Sequence, residues 1–380
     1  MSSFDLYLER RLKNLRLKDR YRRLLPRGGV DLSSNDYLAL SDHPRVRTAM
    51  AEALQQGIPL GASGSRLLRG NTHWHSDLEA SLAAFAGTEA ALVFNSGYDA
   101  NVGVISTLCG SGDVIFSDAL IHASMIDGIR ASKAGKAIFA HNDMVELERL
   151  LRETPCSRHR FIAVESVYSM DGDRAPLREL ALLAERYQAQ LIVDEAHATG
   201  VFGARGQGLC SEAGVQPLVA IHTCGKAWGS FGAFAVCTRT VKDYLINYAR
   251  RFIFTTALPP LLMVQWRAVL TVLKEERDRA DRVLALAGRF RAALQGVAGT
   301  GHSDTQIVPV ICGSSREAMA AAAACQRAGF DVRAIRPPTV PSGTSRLRIS
   351  FHAGLTEQEV DRLAAVIAAY FQTQSKENSP

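Results

Sequence analysis

The stretch VDEAHATG (Val193–Gly200) follows two apolar residues and therefore ends a strand that we expect to be buried. Two carboxylates, Asp194 and Glu195, close this strand, and His197 lies three residues after Asp194. A buried carboxylate is costly unless a partner compensates its charge. We therefore expect a cationic partner for Asp194, supplied either by the chain or by a bound ligand.

Similar apolar segments recur through the middle of the chain and predict an α/β fold. Seven segments have the character of strands or strand ends, namely AALVFNSG, DVIFSD, KAIFAHND, RFIAVESVYS, QLIVDEAHATG, VAIHTCGKA and GAFAVCT. Between them, DMVELERLLRE and LRELALLAERYQ have helical periodicity. This alternation is typical of a doubly wound domain with a mainly parallel sheet.

The pattern changes after about residue 275 and indicates a smaller α+β domain. Strand-like segments (QIVPVIC, DVRAI, RLRISF) alternate there with helical ones, and Thr356 with Glu359 forms a capping box for the last helix. We predict a basic helical arm over 1–45, a large α/β domain over 46–275 and a small α+β domain over 276–372. The polar end, 373–380, is expected to be a disordered tail.

Composition limits the class of protein. The chain has 380 residues, of which 47% are apolar and 22% charged, an ordinary globular profile. Its apolar runs are shorter than the roughly 18 residues that span a membrane, and MSSFDLYLER lacks the features of a secretory signal. The seven cysteines form no C-x-x-C pair. We therefore expect a cytoplasmic protein without a membrane partner.

The net charge of +6 is confined to residues 1–30. A basic arm can bind nucleic acid. However, Leu8, Leu12 and Leu15 recur at helical spacing, which favours an amphipathic helix that packs on another surface. We predict no nucleic-acid partner and interpret the charge as a solvated face or as one that meets an anionic substrate.

Several polar groups follow predicted strands, where ligands bind in open α/β sheets. The turn at Gly97 opens a helix and suits a phosphate. His122 follows another strand, and Lys226 lies in the apolar, glycine-rich HTCGKAWGSFG, where partial burial would make its amine a candidate for Schiff-base chemistry. Each has a structural alternative: an ordinary glycine turn, a structural histidine and a surface lysine.

Three other motifs point to rival chemistries. The H-x-H-x-D pattern in THWHSD (His73, His75, Asp77) resembles a metal-ligand spacing, but no second histidine or cysteine cluster accompanies it. GKA lacks the Ser/Thr of a P-loop, and GARGQG lacks the glycine spacing of a dinucleotide-binding turn. We therefore predict no metal site.

One ligand satisfies all of these groups. It carries a phosphate for the turn at Gly97, a cationic ring nitrogen for Asp194, a flat ring for His122 and an aldehyde for Lys226. Pyridoxal 5′-phosphate has these features, and a carboxylate on its ring nitrogen keeps that nitrogen protonated. We therefore predict this cofactor, with His197 orienting Asp194 or the ring.

Motifs along residues 31–371 resemble the α-oxoamine synthase family of fold-type-I pyridoxal phosphate-dependent enzymes. They are LSSNDYLAL, GASGSRLLRG, FNSGYDAN, DALIHASMIDGIR, ESVYSMDGD, VDEAHATGVFG, TCGKAWGSFGAF, FIFTTALPP and AIRPPTVPSGTSRLRISF. The resemblance implies a cytoplasmic homodimeric acyltransferase with shared active sites. RPPTVPSGTSRLR points to the branch that condenses L-alanine with a pimeloyl thioester in biotin synthesis. The thioester carrier, coenzyme A or acyl carrier protein, stays open.

The resemblance also implies roles for matching positions. Lys226 would bind the cofactor as a Schiff base and then take the substrate Cα proton. The other catalytic residues would be His122, Asp194 and His197. The remaining cofactor contacts would be Gly97, Tyr98, Ser169, Thr223 and Thr256 (or Thr255), the last from the other subunit. The substrate would meet Asn35, Glu165, Arg336 and Arg22, with Arg20 and Arg23 as alternatives to Arg22.

Two other functions remain open from the sequence. A sibling enzyme of the same family would condense glycine with a different acyl-CoA. A catalytically silent partner subunit of a larger synthase would keep the cofactor but not the activity, although the joint presence of Lys226, Asp194 and His122 argues against it.

Overall fold

A computed structural model of the chain describes residues 2–24 and 26–377 and divides into two compact units. The larger unit comprises residues 35–169 and 173–283, and the smaller unit comprises residues 1–34, 170–172 and 284–380. Within the described ranges, we find no helix with the length and apolar character that crossing a membrane requires.

The helices and strands alternate along most of the chain. The helices are α1 (Ser3–Leu17), α2 (Pro44–Gln55), α3 (His73–Ala86), α4 (Gly97–Leu108), α5 (Ala123–Ser132), α6 (Met144–Glu153), α7 (Leu177–Arg186), α8 (Leu209–Ala213), α9 (Arg239–Tyr248), α10 (Arg250–Ile253), α11 (Pro260–Glu275), α12 (Asp278–Ala293), α13 (Ser315–Arg327) and α14 (Glu357–Glu377). The strands are β1 (Val30–Asp31), β2 (Ala90–Phe94), β3 (Val114–Asp118), β4 (Gly135–Phe139), β5 (Arg160–Glu165), β6 (Ala189–Asp194), β7 (Val219–Thr223), β8 (Ala233–Cys237), β9 (Ile307–Gly313), β10 (Phe330–Asp331), β11 (Arg333–Ile335) and β12 (Ser345–Ser350).

The larger unit is built on a seven-stranded sheet of order β2-β8-β7-β6-β5-β3-β4. Strand β8 runs antiparallel to both of its neighbours, and the other paired strands run parallel. Each of the seven strand segments predicted from apolar runs is a strand of this sheet. The prediction of a doubly wound, mainly parallel α/β fold is therefore confirmed.

Burial on both faces explains why the sequences of these strands are continuous apolar runs and do not alternate between apolar and polar residues. Every residue of β2, β3, β7 and β8 is buried, as expected for strands covered by helices on both faces. A core cluster joins β2, β3 and β7 to helices α4, α5 and α10 through side chains such as Phe94, Ile115, Ile221, Met125 and Phe252. The loops that follow the ends of these strands are thus attached to a buried sheet.

The smaller unit contains an antiparallel sheet of order β11-β12-β9 and a parallel pair, β1-β10. Helix α13 packs on the antiparallel sheet and on α14. The predicted capping box of α14 is present, since Glu359 N donates to Thr356 Oγ1 at 3.2 Å and Thr356 N donates to Glu359 at 2.8 Å. Helix α14 continues to Glu377 through part of the predicted tail, and residues 378–380 lie outside the described residues.

The N-terminal arm forms the helix predicted for it, α1, and this helix buries none of its residues. In α1, Ser2 and Asp5 make a capping box, and the predicted apolar stripe of Leu8, Leu12 and Leu15 stays 40–41% exposed. The expectation that this stripe packs on another surface is not met within the described chain. Helical periodicity shows which face is apolar, but the surface that covers such a face depends on contacts that a local pattern does not contain.

Candidate active site

A cavity of about 240 Å³ lies beyond the carboxyl ends of the parallel strands of the larger sheet. Strand β6 brings Asp194 to this edge, β5 brings Glu165, and the turn after β7 brings Lys226. The predicted residues that line the cavity together are Asn35, Gly97, Tyr98, His122, Glu165, Asp194, His197, Thr223 and Lys226. The topology therefore gathers most of the predicted site, as expected for the carboxyl edge of an open sheet.

Asp194 is held by neutral donors. Its Oδ2 accepts a hydrogen bond from Asn101 Nδ2 at 2.7 Å, and its Oδ1 accepts one from Ala196 N at 2.8 Å. Only 4% of the residue is exposed. The chain thus positions this carboxylate with neutral hydrogen bonds while it faces the cavity, which suits a cationic group of a ligand.

Glu165 lies beside Asp194 in the register of β5 and β6. Burial raises the pKa of Glu165 well above its usual range, and the negative charge of Asp194 raises it further. One oxygen of this buried carboxyl, Oε1, has no hydrogen-bond partner in the described chain. Burial and the neighbouring charge thus favour the neutral form of Glu165, which can donate a hydrogen bond to a ligand in the cavity.

Lys226 is connected to a chain of buried polar groups. Its Nζ lies 2.9 Å from His197 Nε2, and His197 Nδ1 lies 2.7 Å from the hydroxyl of Tyr37. The same hydroxyl donates to Asn35 Oδ1 at 3.0 Å. Tyr37 was not among the predicted site residues, although it lies inside LSSNDYLAL; its contact with His197 joins positions 160 residues apart.

His122 is the N-cap residue of α5, and its ring is fixed by Ser124. The distance from His122 Nδ1 to Ser124 Oγ is 2.7 Å, and Asn101 Nδ2 donates to the same hydroxyl at 3.0 Å. Burial lowers the pKa of His122, and the charge of Lys226 lowers it further against the opposing effect of Asp194. His122 therefore presents a neutral, flat imidazole to the cavity. Asn101, which the sequence analysis missed, connects it to Asp194.

The N-terminus of α4 forms a cradle for an anion. Ser96 caps the helix by accepting from Asp99 N at 3.0 Å, and the first two amides, of Gly97 and Tyr98, have no carbonyl one turn earlier. A Cβ added at Gly97 would come within 2.5 Å of Thr223 Cγ2, so only glycine fits there. Thr223 Oγ1 is buried without a partner in the described chain. The free amides of Gly97 and Tyr98, the positive end of the α4 dipole and the Thr223 hydroxyl together suit a phosphate.

Two predicted cofactor contacts do not line this cavity. Ser169 contributes a backbone hydrogen bond to Glu165. Thr256 lies instead in a separate surface cavity of about 450 Å³, together with Leu67, Leu68 and Phe254. Within its own chain, Thr256 is therefore not part of the cavity around Lys226.

The two predicted substrate arginines belong to the smaller unit. Arg22 Nη2 donates to Thr339 Oγ1 at 3.3 Å, and Arg336 Nη1 donates to the backbone oxygen of Asp19. The basic arm and the segment that begins at Arg336 thus contact each other within this unit. The alternative Arg23 instead lies over the ring of Tyr21.

The second carboxylate of VDEAHATG has a structural role. Glu195 is fully buried, and its carboxyl accepts from Ser166 Oγ at 2.7 Å, Leu209 N at 3.0 Å and Cys210 N at 2.6 Å. It therefore fixes the start of α8. Gly208, at φ 109°, approaches this carboxyl so closely that a Cβ would lie 2.5 Å from Oε2.

The THWHSD motif also has a structural explanation. His75 Nδ1 lies 2.8 Å from Thr72 Oγ1, and its Nε2 lies 3.0 Å from the carbonyl oxygen of Leu258. His73 lies against the neighbouring ring of Trp74. Across residues 2–24 and 26–377, no group of three His, Cys, Asp or Glu side chains could hold a metal ion.

An ion cluster that the sequence analysis missed joins the loops after β3, β4 and β5. His141 Nδ1 lies 3.0 Å from Asp118 Oδ1, and its Nε2 lies 2.7 Å from Asp173 Oδ2. The ring of Tyr168 contacts His141 edge-on. Burial would lower the pKa of His141, but the bonds to both carboxylates outweigh it and raise this pKa to about 10.

This cluster predicts a pH-dependent stability. Because the folded pKa of His141 lies above its ordinary value of 6.5, its contribution is complete below about pH 6.5 and is lost as pH rises through about 10. His141→Gln should lower the free energy of unfolding by about 1.5–3 kcal/mol at pH 6, less at pH 10. Urea denaturation of both proteins from pH 6 to 10 measures this; a constant difference would contradict the assignment.

The chain has clear relatives among known proteins. Residues 27–367 match the family described as aminotransferase class I and II. A curated relative, a putative 8-amino-7-oxononanoate synthase of Geobacillus kaustophilus, is 46% identical over 343 residues, which are 89% of this chain and 88% of the relative.

Solved structures of two enzymes are similar over nearly the whole chain. Serine palmitoyltransferase of S. paucimobilis with a bound PLP–myriocin aldimine has a TM-score of 0.90 at 29% identity, covering 99% of this chain and 100% of that one. The 8-amino-7-oxononanoate synthase of Francisella tularensis has a TM-score of 0.79 at 27% identity, covering 91% and 99%.

Proposed function

The chain belongs to the class I and II aminotransferase family, and we propose that it condenses L-alanine with a pimeloyl thioester, using pyridoxal 5′-phosphate. The products are 8-amino-7-oxononanoate, carbon dioxide and the free thiol, and the ketone serves biotin synthesis. Similarity to a curated 8-amino-7-oxononanoate synthase at 46% identity supports this substrate pair. The seven free cysteines support a reducing, cytoplasmic setting.

The observation that carries the proposal is that a buried carboxylate and a lysine amine line the same cavity. Asp194 faces it as a buried carboxylate held by neutral donors, and Lys226 faces it as an amine. The anion cradle at Gly97 and the unpartnered Thr223 Oγ1 lie on the same cavity. A ring cation, an aldehyde and a phosphate on one small ligand satisfy all of these groups, and the residues therefore fit pyridoxal phosphate.

The residues of the chain then take distinct roles. When bound, pyridoxal phosphate supplies an electron sink for the carbanion formed at the amino-acid Cα. Asp194 would hold the ring nitrogen protonated, and the neutral imidazole of His122 would cover the ring face. Lys226 would hold the cofactor through Nζ and later accept the Cα proton at the same atom. Gly97 and Tyr98 would bind the phosphate through their amides.

Substrate contacts complete the proposal. Asn35 and Glu165 line the cavity and can hydrogen-bond the substrate there. We assign Arg336 to the amino-acid carboxylate and Arg22 to the acyl chain's far carboxylate, since a guanidinium binds a carboxylate with two parallel hydrogen bonds.

A product assay tests this function directly. Purified protein is incubated with alanine, glycine or serine, each with pimeloyl-CoA or acetyl-CoA, and the amino ketone is identified by mass. We expect alanine with pimeloyl-CoA to give the highest kcat/KM. Alanine should exceed glycine only modestly, because one methyl group in an apolar pocket contributes about 1–3 kcal/mol. A best pair of glycine with acetyl-CoA would assign the glycine-using branch, and no turnover would favour a silent subunit.

The two arginines should affect different substrates. Arg336→Lys should raise the KM for alanine roughly 10- to 150-fold, because a single ammonium cannot replace a bidentate charged contact. Arg22→Ala should instead raise mainly the KM for the thioester. Arg289→Lys is a matched control, since Arg289 pairs with Asp361 and Glu357 elsewhere in the smaller unit. Equal effects of Arg336→Lys and Arg22→Ala on both substrates would contradict these assignments.

We further propose a homodimer with shared active sites. Thr256 is absent from the cavity of its own chain and lies among the exposed apolar side chains of Leu67, Leu68 and Phe254. Such a patch marks a protein interface in soluble proteins. A second copy covering it would bring Thr256 to a cofactor phosphate.

Subunit mixing tests the shared site. Lys226→Ala and Thr256→Ala should each be inactive or severely impaired alone. After exchange of subunits, the mixture should recover up to about a quarter of wild-type activity, because half of the dimers are mixed and carry one intact site. No recovery after exchange is verified by mass would place each site within one chain.

A further inference from the structure

We propose that Asn35, Tyr37 and His197 form a hydrogen-bond relay that removes a proton from Lys226 before the cofactor binds. The relay would make the empty site ready to capture an aldehyde. This inference rests on the proposed role of Lys226, and it assigns to Tyr37 a positioning role that neither the sequence motifs nor the substrate contacts supplied.

The relay is a continuous path of short contacts. Asn35 Oδ1 lies 3.0 Å from the hydroxyl of Tyr37, which lies 2.7 Å from His197 Nδ1. His197 Nε2 lies 2.9 Å from Lys226 Nζ. Tyr37 is 0% exposed and His197 is 4% exposed, so bulk water does not compete for their bonds.

The chemistry of the end groups fixes the direction of every bond. The side-chain oxygen of Asn35 can only accept, so the single hydroxyl proton of Tyr37 is donated to it. The phenol oxygen must then accept from His197, which places a proton on Nδ1. At the other end, a lysine ammonium can only donate. Both ends therefore select the same neutral tautomer, with Nδ1 protonated and a lone pair on Nε2 aimed at Nζ.

This tautomer makes His197 a base for Lys226. A proton passes from Nζ to Nε2, which breaks one N–H bond and leaves a lone pair on Nζ. The imidazolium that forms keeps its Nδ1–H bond to Tyr37. The neutral amine can then add to an aldehyde carbon, and the aldehyde oxygen leaves as water with two protons that began on Nζ, one of them returned by Nε2. His197 is restored to its neutral form.

The first test measures the tautomer itself in the protein freed of cofactor. In ¹⁵N-labelled apoprotein, the two ring nitrogens of His197 are assigned by comparison with His197→Gln. We expect Nδ1 to carry the proton in the wild type. In Tyr37→Phe only the lysine end still selects this tautomer, so the fraction of molecules with the proton on Nε2 should rise above that of the wild type. An Nε2 proton in the wild type would overturn the relay.

The second test measures capture of the cofactor rather than turnover. Pyridoxal phosphate is added to apoprotein, and covalent incorporation is followed by absorbance and by borohydride trapping on Lys226. Tyr37→Phe should slow incorporation about tenfold, the bias that one hydrogen bond confers on an equilibrium. Asn35→Asp keeps an acceptor for Tyr37 and should keep the tautomer. Tyr244→Phe, at an exposed position on α9, is the control and should leave the rate unchanged.

The outcomes separate this inference from the proposed function. If wild-type apoprotein does not trap the cofactor on Lys226, the proposed function itself fails. If it does, and Tyr37→Phe incorporates cofactor at the wild-type rate, the relay is wrong while the function stands. Circular dichroism checks the fold of Tyr37→Phe, which should be kept because the change removes only one oxygen atom.

Discussion

Lys226→Ala is expected to abolish turnover, with kcat falling by more than about 10⁴-fold, since one amine holds the cofactor and moves the Cα proton. The variant should fold, because Lys226 lies in a turn after β7 and its amine contacts His197 at the wall of the cavity. It should still bind pyridoxal phosphate through the cradle at Gly97. Its spectrum should lack the band of a lysine-bound cofactor.

Two measurements make this result specific. An added primary amine should restore part of the lost activity in Lys226→Ala, because the missing group is an amine that a small molecule can replace. Lys274→Ala, near the end of α11, is the control and should keep both spectrum and turnover. If Lys226→Ala shows the wild-type spectrum, another lysine binds the cofactor and the site is wrongly assigned.

Much of the frame of this site is predictable from the sequence because its signals are local. Apolar runs mark each strand of the larger sheet. Because most of these strands are parallel, the polar residues that follow them lie together beyond the carboxyl ends of the strands. Lys226, Asp194 and His122 all follow this rule, and the structure brings them to one cavity. Their chemical roles came from combining the groups with one ligand, and from the family resemblance.

The parts that sequence reasoning missed depend on distant contacts. Asn101 and Asp194, which form a hydrogen bond, are 93 residues apart in the sequence, and Tyr37 and His197 are 160 residues apart. Both are ordinary polar residues in their own segments, with no local pattern that marks them as site residues. His141 was missed for the same reason, since its two carboxylates come from the ends of different loops.

The two carboxylates of VDEAHATG also show the difference between what a local pattern predicts and what distant contacts decide. Asp194 and Glu195 are adjacent, and no property of VDEAHATG tells which one faces a ligand. In the structure, Asp194 opens onto the cavity, whereas Glu195 is enclosed by Ser166 and the first amides of α8. Successive residues at a strand end point in opposite directions. Asp194 therefore faces the cavity, and Glu195 binds the first amides of α8.

Asp194→Asn should lower kcat by roughly 10²–10⁴-fold while leaving the fold intact. The change removes the charge that keeps the ring nitrogen of pyridoxal phosphate protonated, so the electron sink weakens. The site can accommodate the new amide, because Asn101 Oδ1 has no partner in the described chain and can turn to accept from it. Removing the charge also removes one of the causes that raise the pKa of Glu165.

The neighbouring carboxylate supplies the matched control for this prediction. Glu195→Gln neutralises an equally buried carboxyl one residue along the chain, but its partners are Ser166 Oγ and the amides of Leu209 and Cys210. It should lower the free energy of unfolding by about 1–3 kcal/mol, because either Leu209 N or Cys210 N would then face the side-chain NH2 group instead of an oxygen. It should keep kcat per folded molecule. Urea denaturation and the product assay on both variants separate the two effects. A kcat for Asp194→Asn within about threefold of the wild type, with Glu195→Gln equally active, would show that the carboxylate facing the cavity does not act on the ring nitrogen.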